Sequence, residues 1–173
     1  MDMKAERFIA APQARVWAAL NDPAILKACL PGCESVERLS DTEMKATAQV
    51  RLGPVSAKFA GRVTLSEIDP PHGCTIRGEG QGGAAGFAKG EAQIRLAPKD
   101  GGTTLSYTVK AQVGGKLAQI GARLIDAGAK TMADQFFAAF ARQLEQPAGP
   151  DAPPPSLWTR IVAFVQGLFA PRG

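Results

Sequence analysis

The sequence predicts an α+β fold in which an antiparallel sheet curls around one long C-terminal helix. Three observations predict it. Successive runs between residues 43 and 113 alternate apolar and polar side chains with the period of a half-buried strand. Short turns rich in Gly, Pro and Asp join those runs, as in a meander. After Gly114-Gly115, residues 116–145 repeat apolar side chains at spacings of three and four, a stripe long enough to cover a sheet.

Residues 3–9 read as a first strand. Pro12 opens a short helix that runs to Leu20 and turns Val16, Trp17 and Leu20 inward. Asn21-Asp22-Pro23 stops it and starts a second helical piece around residues 24–28, and Leu30-Pro31-Gly32 is a turn. Met44, Ala46, Ala48, Val50 and Leu52 then alternate with polar neighbours. Past Gly53-Pro54 the alternation resumes at Val55, Ala57, Phe59, Gly61, Val63 and Leu65. Asp69-Pro70-Pro71-His72-Gly73 turns the chain into a strand with Cys74, Ile76, Gly78 and Gly80 inward. The flexible stretch 82–86 leads to Ala88, Gly90, Ala92, Ile94 and Leu96, and the last strand carries Leu105, Tyr107, Val109, Ala111 and Val113. The helix stripe is Leu117, Ile120, Leu124, Gly128, Met132, Phe136, Phe140 and Leu144.

The composition bounds the function. The chain has 173 residues, 45% of them hydrophobic and 21% charged, which suits one globular domain with a sizeable core. The net charge is +4, with Lys and Arg interspersed among Asp and Glu. No clustered basic stripe marks a nucleic-acid surface. Three cysteines, Cys29, Cys33 and Cys74, do not make a secreted disulfide framework, and the charged N-terminus is not a signal peptide. The expected compartment is cytoplasmic.

Catalytic constellations are missing from the pattern. The single histidine, His72, lies in a turn, and no nucleophile-elbow motif accompanies it. Glu34 and Glu37, like Glu79 and Glu91, fall at outward or loop positions. The cysteines lack an adjacent histidine and make a poor zinc set. The glycine-rich run 78–83 lacks the Lys-Ser/Thr of a phosphate loop. The expectation is a binding protein with no catalytic residue and no metal.

The inward positions of the middle strands are unexpectedly small: Gly61, Gly78, Gly80, Ala88, Gly90 and Ala92. Glycine weakens a strand unless something approaches closely. Two readings are open. The small residues leave room for an apolar guest, or they mark bends that let the sheet curl. On the first reading the lining is Phe59, Val63, Ile76, Gly78, Gly80, Ala92, Ile94 and Tyr107 from the sheet, with Leu124, Gly128, Met132 and Phe136 from the helix.

Residues 147–155 read Pro-Ala-Gly-Pro-Asp-Ala-Pro-Pro-Pro, a stiff linker. The sequence thus divides into a domain over 1–146, a Pro-rich linker over 147–156 and a short tail over 157–173. In the tail, Leu157, Trp158, Ile161, Val162, Phe164, Val165, Leu168 and Phe169 cover most of a helix surface until Pro171 stops it. A helix of residues 157–169 spans roughly 20 Å, too short for a hydrocarbon core of about 30 Å. It is expected to lie in a membrane interface, with Trp158 near the headgroups. Burying a large apolar side chain contributes about 1.5–3 kcal/mol, against roughly 1–2 kcal/mol for ordering each residue, so contact is reversible. Docking of the tail on its own domain or on a partner protein is the competing reading.

Several ordered motifs resemble the G subunit family of aerobic carbon monoxide dehydrogenase. They are 20–23 (Leu-Asn-Asp-Pro), 29–34 (Cys-Leu-Pro-Gly-Cys-Glu), 53–55 (Gly-Pro-Val), 78–80 (Gly-Glu-Gly), 82–86 (Gly-Gly-Ala-Ala-Gly) and 113–121 (Val-Gly-Gly-Lys-Leu-Ala-Gln-Ile-Gly). The resemblance covers about residues 1–145. It implies a START-like helix-grip fold, akin to polyketide cyclases and lipid-transfer domains, with a seven-stranded antiparallel sheet wrapped around a long C-terminal helix. It also implies a role beside a molybdenum-containing carbon monoxide dehydrogenase, or a related molybdenum hydroxylase, at the inner face of the cytoplasmic membrane.

The combined expectation is an accessory protein whose cavity holds a lipophilic molecule, a respiratory quinone, bound without a covalent link. A pure membrane tether without ligand and a small cyclase- or dehydratase-like enzyme using Tyr107 are the alternatives. A general assembly chaperone for the hydroxylase is a more remote one.

Overall fold

The computed structural model describes residues 1–145; the linker and tail expected from the sequence lie outside them. Strand β1 (Asp2–Ile9) is followed by helices α1 (Gln13–Leu20) and α2 (Pro23–Cys29). Six strands then run in sequence: β2 (Cys33–Ser40), β3 (Glu43–Leu52), β4 (Val55–Asp69), β5 (Gly73–Gln81), β6 (Phe87–Lys99) and β7 (Gly102–Gly114). Helices α3 (Lys116–Gln119) and α4 (Ala122–Glu145) close the described chain.

The strands form one seven-stranded antiparallel sheet of order β1-β7-β6-β5-β4-β3-β2. Consecutive strands pair as a meander from β2 to β7, and only β1 pairs out of sequence. The α1–α2 segment carries the chain from one edge of the sheet to the other. Its geometry follows from local chemistry. Pro23 occupies the first turn of α2, and the Asp22 carboxylate accepts a 2.9 Å hydrogen bond from the Ala24 amide. The turn after α2 is pinned to β3, where the Gln49 amide donates to the Gly32 carbonyl at 2.8 Å. Gly32 has φ +70°, and a Cβ there would lie 2.1 Å from the Gln49 oxygen, so only glycine fits.

The elements follow the predicted pattern with two differences. Strand β2 has no counterpart in the period-two reading. It is an edge strand interrupted by bulges at Cys33/Ser35 and Arg38/Ser40, so its side chains show no clean alternation. The C-terminal helix is broken at Ile120-Gly121, with Gly121 at φ +95°. The break resets the helical phase. Ile125 is buried in the core, whereas Leu124, expected on the inner stripe, is 49% exposed.

Two apolar clusters hold the sheet to its helices. The larger contains Ile9, Val16, Leu96, Leu105, Phe140 and Leu144, and joins α1 and the C-terminal half of α4 to strands β1, β6 and β7. The smaller contains Leu52, Leu117 and Ile125, with Phe59, Ala88 and Val113 packed against it. Thr103 is fully buried in the larger region, and its hydroxyl donates to the Ala11 carbonyl at 2.8 Å.

Candidate ligand-binding cleft

The strand registers place the predicted inward residues on one face. Val63 stands opposite Met44 and Gly78, and Gly78 opposite Gly90. The next row runs Leu65, Ile76, Ala92, Val109 and Met3, and the one after it Cys74, Ile94, Tyr107 and Ala5. Period-two spacing and unbroken registers bring these positions together.

The middle of this face is only partly covered. Val63, Ile76, Gly78, Gly80 and Ala92 lie between the two packed clusters, belong to neither, and are only half-buried. Ile94, Tyr107 and Phe136 line the side of the larger cluster, and Phe59 lines the side of the smaller.

The inward glycines divide into two kinds. A Cβ on Gly78 would have no neighbour nearer than 3.9 Å, and the same holds for Gly80. A Cβ on Gly61 would fall 2.6 Å from the Glu79 carbonyl oxygen, and one on Gly90 would fall 2.7 Å from the Lys110 oxygen. Gly61 and Gly90 therefore let neighbouring backbones approach closely, while at Gly78 and Gly80 a Cβ would fit in ordinary van der Waals contact. The close-approach reading holds at Gly61 and Gly90, and a side chain could be added at Gly78 and Gly80 without a clash.

Two of the grooves that border α4 take in residues predicted to line the cleft. One lies against β3 and the 31–32 turn and encloses about 620 Å³; Val50, Leu52, Leu124, Gly128 and Met132 line its apolar part. Gly128 lets the helix approach the sheet, since a Cβ there would sit 2.2 Å from Leu52 Cδ1. The other groove lies against β1 and encloses about 250 Å³, with Met1, Met3, Ala5, Arg7, Tyr107, Asp126 and Lys130 among its walls. Thus Leu124, Gly128 and Met132 gather in the first groove and Tyr107 reaches the second.

An aromatic ladder runs along α4. Tyr107 stacks on Phe137 with centroids 5.5 Å apart, Phe137 meets Phe136 edge-on at 5.1 Å, and Phe136 stacks on Phe140 at 5.5 Å. Arg7 stands beside this ladder, 5.0 Å from the Phe137 centroid. Its guanidinium donates to Asp134 Oδ1 at 2.5 Å, and it shares the wall of the β1 groove with Tyr107. The Asp134 bond, and after it the neighbouring Tyr107, raises the Arg7 pKa above its ordinary value.

Sequence reasoning misses Arg7, Asp134 and Phe137. A signal is present at Arg7. Met3, Ala5, Arg7 and Ile9 form the alternating series of β1, and a cation in an otherwise apolar series needs a partner.

No group outside the cleft assembles into a reactive set among the described residues. His72 is exposed, 3.6 Å from Asp69 Oδ1. Cys29 and Cys74 are buried, and burial raises the pKa of both thiols. Among the described residues no three His, Cys, Asp or Glu side chains converge as metal ligands, and no helix is long and apolar enough to cross a membrane.

Comparison with known proteins extends the geometry. Residues 6–145 match the family described as the G subunit of carbon monoxide dehydrogenase (CoxG). A conserved protein from Geobacillus kaustophilus is 32% identical and superposes with a TM-score of 0.79 over 83% of this chain and 95% of its own. Proteins from Chromobacterium violaceum and Thermus thermophilus share the fold at lower identity. The first is 19% identical, with a TM-score of 0.65 over 85% of this chain and 99% of its own. The second is 16% identical, with a TM-score of 0.63 over 83% and 97%. No curated protein matches the chain.

Proposed function

The chain belongs to the CoxG family, named for the G subunit of carbon monoxide dehydrogenase, and from that premise we propose that it is a non-catalytic accessory protein that carries a lipophilic molecule, a respiratory quinone, between the membrane and the dehydrogenase. The observation that carries this reading is the partly covered, small-residue middle of the inward face. Gly78 and Gly80 have room around them, and half-buried Val63, Ile76 and Ala92 surround them between two packed clusters. Leaving apolar surface unfilled inside a sheet-and-helix grip forgoes burial of about 25 cal/mol per Å², and an apolar guest recovers it. The lining is the set read from the sequence, with Leu124 at the rim of one groove.

The linker and tail supply the second half of the proposal. Their composition suits a peripheral contact with the inner face of the cytoplasmic membrane, where the quinone pool lies. The dehydrogenase, or a related molybdenum hydroxylase, is the protein partner.

Native mass spectrometry with lipid extraction, on protein taken from its own membranes or reconstituted with quinone, tests the reading. A retained quinone-sized mass supports the carrier. An empty protein that still binds liposomes replaces the carrier with a tether that recruits the dehydrogenase and holds no ligand.

A further inference from the structure

We propose that Tyr107, backed by Arg7, is the polar anchor of the cleft: the phenol donates a hydrogen bond to a carbonyl oxygen on the ligand's head, and the ligand's apolar remainder runs beneath α4 toward Leu124. This assignment rests on the carrier reading and adds to it an orientation and a head-group chemistry.

The inward face leaves few choices. Across the paired inward positions of β3–β7, Tyr107 and Thr103 are the side chains that carry oxygen or nitrogen. Thr103 is fully buried, and its hydroxyl is occupied by the Ala11 carbonyl. Tyr107 differs. It is 5% exposed and lies in the wall of the groove beside β1. Arg7 lines the same groove, and a guanidinium has donors only, so toward this neighbour the phenol oxygen can act only as acceptor. The phenol's own hydrogen is left for an acceptor in the groove. A hydroxyl that accepts from a cation is a stronger donor in turn, because the two bonds polarise one another.

The surroundings fix the phenol and the guanidinium in place. Tyr107 lies nearly parallel to Phe137, at an interplanar angle of 16°, and Arg7 is held by Asp134 from α4. Neither ring nor guanidinium has to be ordered when ligand arrives, which lowers the entropic cost of binding. Arg7 acts through Tyr107 and is a positioning residue. The position of Tyr107 sets the direction. The groove against β1 holds Tyr107 beside Arg7 and Lys130, with Asp2 and Asp126 also in its wall, and the groove against β3 sets Leu52, Leu124 and Met132 beside Gln49, Arg51 and Gln135. A head with acceptor oxygens belongs beside the phenol, and the alkyl chain extends away from it.

The test uses the full chain and two probes, a decyl-naphthoquinone labelled with carbon-13 at its carbonyls and decylnaphthalene, which has the same shape without them. Dissociation constants and the infrared carbonyl stretch of bound quinone are measured for the native protein, Tyr107→Phe and Arg7→Met. The anchor predicts that Tyr107→Phe weakens quinone binding by roughly three- to tenfold, the effect of one net hydrogen bond. It also predicts that decylnaphthalene binding stays unchanged and that one carbonyl stretch moves up toward its unbonded frequency. Arg7→Met, which keeps the phenol, moves the same band part of the way. Equal quinone affinity and an unmoved carbonyl band in Tyr107→Phe overturn the anchor and leave the carrier standing. Failure of both probes to bind the native protein overturns the carrier and the anchor together. A variant that loses both probes equally has lost the cleft, and the Arg7→Met band alone then decides: a shift upholds the anchor, and an unmoved band overturns it.

Discussion

Leu52 of β3 and Gly128 of α4 meet so closely that a Cβ on Gly128 would lie 2.2 Å from Leu52 Cδ1. This contact sets the depth at which the helix sits in the sheet. Gly128→Ala adds helix propensity of about 1 kcal/mol but overpacks a buried leucine, at about 1–3 kcal/mol. The expected net effect in urea unfolding is a destabilisation of up to about 2 kcal/mol, and Leu52→Ala in the same chain should relieve part of it. If the two substitutions add independently, the contact does not set the spacing.

The inward glycines give a paired prediction. Gly61→Ala drives a Cβ onto the Glu79 carbonyl oxygen and should destabilise by about 1–3 kcal/mol. Gly78→Ala meets nothing nearer than 3.9 Å and should raise stability by roughly 0.5 kcal/mol through reduced chain entropy. Gly78→Leu should keep the fold and exclude quinone. Thermal melts and quinone titration of the three variants check the ordering.

Thr103 is the polar residue whose loss should be felt most. Thr103→Val is nearly isosteric but strips the Ala11 carbonyl of its 2.8 Å partner inside the core. The expected loss is about 1–3 kcal/mol. Thr103→Ser retains the bond, and denaturant melts should place it between Val and the native residue.

The thiols give a pH dependence. Burial raises the pKa of Cys29 and of Cys74. In the unfolded chain both ionise near the ordinary thiol value of about 8.5. The folded protein binds the extra protons, so their contribution is absent well below that value, where both states are protonated, and the unfolded state gains stability by ionising as pH rises through it. Melts between pH 8 and 10 should show falling stability, and a Cys29→Ala, Cys74→Ala double variant should flatten that slope. Iodoacetamide should modify the more accessible Cys33 first.

A chain ending at residue 146 retains every described element of the sheet and helices. It should melt at the same temperature as the full chain and lose cosedimentation with anionic vesicles. Undiminished cosedimentation would assign membrane contact to the folded domain.

Much of this architecture can be read from alternation alone, because side chains on paired strands must share a face. The registers of β3 through β7 align the inward sets that alternation predicts. Strand β2 escapes because it lies at an edge and is bulged, so burial imposes no period on it. Periodicity puts Leu124 on the inner stripe because spacing carries no sign of the break at Gly121. The Arg7–Asp134 pair joins residues far apart in sequence, and no local pattern reports such a contact. Sequence singles out the glycines, but only the backbone distances separate Gly61 from Gly78.

The break at Gly121 makes α4 a beam with unequal supports. Its far half is seated on Phe140 and Leu144, both essentially inaccessible to solvent, and on the aromatic ladder. Its near half is held by Ile125, with Leu124 turned to solvent and a left-handed glycine as the joint. A beam supported this way bends most where its seat is narrowest, so amide exchange should quicken from residue 140 toward residue 122. The compliant end is also where the apolar groove opens. Passage of a bulky chain beneath the helix therefore requires the near half to lift while the far half stays seated.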